Sequence, residues 1–193
     1  MSTTSLFIEL LITGVQAGLW IGLLVLTLLG FDWVNLERLK GFEAFLAALA
    51  LAVIYPLGVL VDYLADELFR KWDLRLRVKH KIDSEQSVWP LLMRITNVAL
   101  TAQLSYIRNR IRICRSSALN FGLLTLMGTA LIGFRCRTKP GFPFWPALWL
   151  EILVGIGLTT LATLAWHRLT RSFYKLVNHG LEDKAAAARQ SFS

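Results

Sequence analysis

Residues 91 to about 134 contain no proline, and the first glycine among them is Gly122. A stretch so free of breakers favours one continuous helix, roughly 65 Å long at about 1.5 Å per residue. Its character changes midway: the first half carries Arg108, Arg110, Arg112 and Arg115, and beyond Ser116, Ser117 and Ala118 it turns apolar. A bilayer's hydrocarbon core is only about 30 Å thick. The second half is thus long enough to cross a membrane, while the first stands about 30 Å into water as a basic stalk. Whatever this chain folds into must accommodate a helix that lies in two solvents.

Four apolar segments are long enough to span: 5–30, 43–65, 117–134 and 144–166. The chain is 55% hydrophobic with a mean hydropathy of +0.52. The clustering of those residues into long runs decides for a membrane protein more than the total does. The run 6–31 exceeds a signal-peptide core, and residues 1–9 hold no Lys or Arg, so the first span is expected to be retained.

Basic residues orient the spans. Eleven Lys and Arg fall in 66–116 and five more follow Trp166, whereas the other two connections hold Arg38, Lys40, Arg135, Arg137 and Lys139. The positive-inside rule then places both termini and the large loop in the cytoplasm of a multi-pass inner-membrane protein. The expected fold class is an all-α integral membrane protein of four transmembrane helices with a basic helical cytoplasmic extension. Helices 1 and 2 occupy 1–65, the basic loop or stalk 66–116, helices 3 and 4 117–166, and a basic tail 167–193.

Gly14, Gly18 and Gly22 fall at steps of four on one stripe of the first span, flanked by Gln16 and Trp20. Missing side chains let another backbone approach. The stripe serves either packing within the protomer or self-association into a homo-oligomer. The second span holds Pro56, and its inner end reads Asp62, Asp66, Arg70 at steps of four, which makes Asp66–Arg70 a favourable pair. Asp62 lies deeper and needs a partner; Arg112 or Arg115 at the base of the stalk is expected to supply it.

Trp72, Leu74, Leu76 and Val78 alternate with Arg75, Arg77, Lys79 and Lys81. That period of two suggests a short strand or an extended segment. A turn over 83–87 follows, and Trp89-Pro90 opens the long helix with proline in the position helices tolerate best. Leu104, Ile107, Ile111, Cys114 and Ala118 then recur at helical spacing, opposite the arginines. The stalk therefore has an apolar face to bury.

Glu151 lies about two turns into the fourth span, in register with Gly155, Thr159 and Thr163. A carboxylate inside hydrocarbon is expensive and faces a bundle interior or a wetted path. Either it makes a structural hydrogen bond, with Gln16 as a candidate, or it joins Gln16, Thr159 and Thr163 along a pore. The basic set Arg75, Arg77, Lys79, Lys81, Arg108, Arg110, Arg112 and Arg115 reads as a site for anionic membrane lipids or for an anionic partner. That partner would be a nucleic acid, a nucleotide or an acidic soluble protein.

Arg75 and His80 have the Arg-x4-6-His spacing of HEPN-type ribonucleases, but the period-two context departs from the helical site that chemistry uses. No nucleophile elbow, intramembrane aspartate pair or metal-ligand cluster accompanies it. No enzyme, cofactor or metal is expected. Cys114 and Cys136 fall at opposite ends of a predicted span and cannot bridge within one straight helix. In layout the chain resembles small multi-span effectors and accessory subunits of prokaryotic antiviral systems, a resemblance of architecture and not of particular residues. It implies a membrane bundle coupled to a charged cytoplasmic sensor. The leading expectation is a homo-oligomeric channel or pore-like effector gated or recruited through its basic face. The alternative is a non-conducting anchor that docks a soluble cytoplasmic partner.

Overall fold

A computed structural model describes residues 3–30, 41, 43–79, 98–137 and 139–190. The described secondary structure is all helical: α1 (Thr3–Leu29), α2 (Glu43–Lys79), α3 (Val98–Leu131) and α4 (Phe144–Gln190). A π-helical turn, Ile132–Cys136, prolongs α3. Each of the four helices is long and apolar enough to cross a membrane. The turn expected over 83–87, the Trp89-Pro90 helix start, His80 and Lys81 lie outside the described residues.

The helices are longer than a crossing requires. The 37 residues of α2 and 47 of α4 extend about 55 and 70 Å. The C-terminal part of α2, the N-terminal part of α3 and the C-terminal part of α4 meet at one end of the molecule, called here the basic end. α1 starts at that end and reaches the opposite one, where Arg135 meets Thr27 and Leu28.

The period-two stretch is helical. α2 continues to Lys79 because a second, helical periodicity underlies the alternation: Val61, Ala65, Phe69 and Leu76 are buried on one stripe. Arg77 supports the same turn by pairing with Asp73 at 2.9 Å. Tertiary burial of Phe69 and Leu76 decides the conformation. The expected Asp66–Arg70 pair also differs. Arg70 binds Glu67 instead, at 3.0 Å, and Asp66 is taken by Arg115 of α3.

Two packing regimes divide the molecule. Along the apolar stretches, helices meet through small residues. Gly14 of α1 lies against the carbonyl oxygen of Ile54, and Gly58 of α2 against that of Leu10, so that a Cβ at either would collide with backbone. A second seam joins α3 to α4: Gly128 against Glu151, Thr125 against Gly155, and Gly122 near Thr159. Close backbone approach of this kind is how helices associate where no water is released by contact. At the basic end, by contrast, large side chains form the core: Phe69 and Leu76 of α2, Leu104 and Ile107 of α3, and Trp166, Phe173, Tyr174 and Val177 of α4.

The opposite end is closed by a cap. Gly30 leaves α1 with φ 82°, a conformation that costs glycine nothing. Arg135 donates from Nε to the Thr27 carbonyl at 2.8 Å and from its second terminal nitrogen to that of Leu28 at 2.7 Å. A cation on the last carbonyls answers both their unmet hydrogen bonds and the helix dipole.

The glycine stripe of α1 is divided in its use. Gly14 is committed to α2, whereas nothing lies within 4 Å of where a Cβ on Gly18 or Gly22 would sit. Gly14→Leu is therefore expected to disrupt the protomer, with overpacking costing on the order of 1–3 kcal/mol or more. Gly18→Leu should leave the thermal midpoint in detergent nearly unchanged. Light scattering on Gly18→Leu then isolates contacts between copies: a lowered mass assigns the open stripe to self-association, and an unchanged mass removes it from that role.

Candidate functional site

The basic end gathers charge around an aromatic centre. Phe69 meets Trp166 edge-on with ring centroids 4.8 Å apart, and Trp72 at 5.2 Å. Such pairs add to the area they bury. Tyr174 hydrogen-bonds across to α2: its hydroxyl donates to Asp73 Oδ1 at 2.6 Å and accepts from Arg77 Nε at 3.0 Å. Desolvation, then the Asp73 carboxylate, push the Tyr174 hydroxyl well above its ordinary pKa. The proton stays on the oxygen, and the bond to Asp73 persists across any physiological pH.

About three turns from Asp73 toward the apolar stretch, Asp62 of α2 collects three donors from α3. Arg112 reaches it at 2.6 Å, Arg115 at 3.4 Å and the Ser116 hydroxyl at 3.1 Å. Arg115 bridges onward to Asp66. The carboxylate is 18% exposed, half-withdrawn from water, so its partners are worth more here than at a surface. Arg112 is thus as much a partner of Asp62 as Arg115 is.

Deeper still, Asn120 is wholly buried between α1 and α3. Its amide donates to the Thr13 carbonyl at 3.1 Å and to Gln16 Oε1 at 3.2 Å, and its oxygen accepts from Trp20 Nε1 at 3.1 Å. Ser117 also donates to Gln16 at 3.2 Å. A polar network this complete in low dielectric holds two helices in one register.

The residues read from the sequence as intramembrane polar positions are therefore separated. Gln16 belongs to the Asn120 network and does not bond Glu151. Glu151 faces Gly128 of α3. The hydroxyls of Thr159 and Thr163 donate to their own helix at Gly155 and Thr159, both at 2.8 Å. The Glu151, Gly155 and Thr159 stripe faces α3 across the seam, with Gly155 buried and Glu151 and Thr159 partly exposed.

The basic set is likewise divided. Arg77, Arg112 and Arg115 are engaged in ion pairs. Arg75, Lys79, Arg108 and Arg110 are exposed, Arg110 standing 4.5 Å over the Tyr106 ring. Lys81 lies outside the described residues. Exposed Arg168, Arg171 and Lys175 of α4 join this surface. The aromatic cluster and the Tyr174 bonds escaped the reading of the sequence. The signal for them was the seven-residue step from Phe69 to Leu76 and from Trp166 to Phe173, masked in α2 by the period of two over 71–81.

No protein-family model, curated protein or solved structure matches this chain. The function has to be read from the site's own chemistry.

Two outcomes test the site's architecture. Asp62→Asn and Arg115→Gln should each destabilise by less than the about 3–5 kcal/mol of a fully buried pair. The double variant should cost less than their sum in thermal unfolding, since the two share one interaction. Asn120→Ala should cost about 1–3 kcal/mol, because the Trp20 indole loses its acceptor and Gln16 keeps only the Ser117 hydroxyl. A midpoint within experimental error of wild type would show that the network does not hold α1 to α3.

Proposed function

We propose that the protein is a non-conducting integral membrane anchor that presents a basic three-helix platform to the cytoplasm and docks an acidic soluble partner there. The observation that carries this reading is the aromatic core joining the ends of α2, α3 and α4. A core of that kind needs water around it to form. A membrane segment needs none.

Exposure along the apolar stretches supports the membrane half. Leu150, Leu153, Leu161 and Leu164 of α4 and Phe45, Leu49 and Leu60 of α2 stand exposed on the protomer. A water-soluble monomer rarely tolerates so much apolar surface. The charge count supports the orientation: the end rich in Lys and Arg belongs in the cytoplasm. The platform's outer faces carry Arg75, Lys79, Arg110, Arg168, Arg171 and Lys175, all exposed. Cations on rigid helices favour an acidic protein surface through long-range attraction. Salt is expected to weaken that docking.

The competing reading is a homo-oligomeric channel that would draw on Glu151, Gln16, Thr159 and Thr163, and three of these face another helix of the protomer. Glu151 and Thr159 lie in the α3–α4 seam, and Gln16 is committed to Asn120. The open Gly18 and Gly22 positions keep self-association as part of the proposal, around an anchor and not a pore.

Ion flux separates the two. Purified full-length protein in liposomes, with and without Glu151→Gln, should pass potassium no faster than protein-free vesicles. Flux that Glu151→Gln alters would overturn the anchor reading. In native membranes, cross-linking from the platform should trap one defined soluble protein of acidic pI. Charge reversal at Arg171 and Lys175 should lower that yield severalfold, and raising salt should do the same. An unchanged yield would remove the platform as the docking face.

A further inference from the structure

A groove of about 630 Å³ opens between α2, α3 and α4 where the platform meets the apolar stretches. Its floor is formed partly by Phe69 and Trp166, and its apolar edge by Val59 and Tyr63 of α2. At the basic end α4 meets α2 through Trp166, against Phe69 and Trp72, and through Tyr174, bonded to Asp73 and Arg77. The two helices thus meet at the basic end, and the groove is the mouth of the gap between them.

The wall carries Arg70, Arg77, Arg108, Arg112 and Arg115 beside the aspartates Asp62, Asp66 and Asp73, with Arg70 paired to Glu67. Two donors in the wall also lack acceptors. Thr170 is 1% exposed, and its Oγ1 makes no hydrogen bond; nor does the buried Nε of Arg115. A buried hydroxyl and a buried guanidinium N–H left unmatched are costly. Both answer to the same missing chemistry, an acceptor-rich anion. The groove's one apolar edge adds that the anion should come attached to a chain.

We propose that this groove binds the phosphodiester headgroup of an anionic phospholipid of the cytoplasmic leaflet, with its acyl chains in the gap between α2 and α4. Thr170 donates to a phosphate oxygen, and Arg115, held by Asp62 and Asp66, presents its Nε to another. Arg108 at the wall supplies further positive field. Asp62 and Asp66 keep Arg112 and Arg115 oriented, so the arginines are preorganised and lose little freedom on binding. The proposal goes beyond the docking of a soluble partner and stands whether or not one exists.

The test uses full-length protein in neutral detergent micelles doped with phosphatidylglycerol or phosphatidylcholine at equal mole fraction. Native mass spectrometry counts retained lipid, and thermal unfolding reads its effect. Wild type should retain phosphatidylglycerol over phosphatidylcholine: both carry the phosphodiester, but the choline cation offsets its charge beside the groove's arginines. Thr170→Val keeps the shape and removes the donor to the phosphate. Without added lipid its midpoint should match or exceed wild type, which establishes that it folds, and its retention of phosphatidylglycerol should fall about tenfold, the scale of one hydrogen bond to a charged group. Thr170→Ser should restore that retention. Arg171→Gln, on the exposed face outside the groove, should leave it intact. Equal retention of the two lipids by wild type, or undiminished phosphatidylglycerol retention in Thr170→Val, would overturn the proposal. So would inorganic phosphate or glycerol phosphate raising the midpoint as much as phosphatidylglycerol, which would assign the groove to a soluble anion.

Discussion

Asp62 accepts hydrogen bonds from Arg112, Arg115 and Ser116 at the level where one kind of helix packing gives way to another. On one side of it, α1, α2 and α3 approach through Gly14, Gly58 and the Asn120 network. On the other, α2, α3 and α4 meet through Phe69, Trp166, Phe173 and Tyr174. Arg115 continues the link to Asp66. A carboxylate with arginines on a neighbouring helix sets the axial register of α2 against α3. Both regimes need that register: a slip of one turn, about 5.4 Å, would separate Phe69 from Trp166.

The two regimes answer to different forces. Burying aromatic area gains most when water is released, which fits the proposed placement of the platform's core outside a hydrocarbon layer. Inside such a layer, association relies on close contact and on polar groups with nowhere else to bond. Small residues on α3 and α4, and the locked Asn120 between α1 and α3, supply both. In the proposed setting the membrane part fixes the platform's height and orientation, and the platform supplies stability that the thin intramembrane seams cannot.

Much of the fold was legible in the sequence. The four apolar stretches, the unbroken helix through Arg108 to Leu131, the apolar stripe of Leu104, Ile107 and Ala118, and the need of Asp62 for an arginine all follow from spacing and charge. Two expectations failed for a shared reason. The alternation over 71–81 suggested an extended segment, and Asp66–Arg70 suggested a pair, because each was weighed within its own segment. Phe69 and Leu76 have α4 to bury against, and Asp66 has Arg115 within reach; neither partner is near in the chain.

By itself, then, the sequence determined which four stretches are long and apolar enough to cross a membrane and where Lys and Arg gather, since hydropathy over a span and the placement of charge are local sums that no fold rearranges. It determined that the chain is helical and where its apolar stripes run. Only the tertiary structure decided what those stripes meet. Glu151 reads as either a structural or a wetted residue, and the fold sets Gly128 beside it; Gly14 and Gly18 read alike until one is found on Ile54 and the other open. Thr170 drew no attention in the sequence because a threonine in a helix ordinarily finds a partner; its unmatched hydroxyl exists only where three helices converge. Faces are assigned by periodicity, but partners are assigned by helix order and rotation, which depend on contacts summed over the whole protomer.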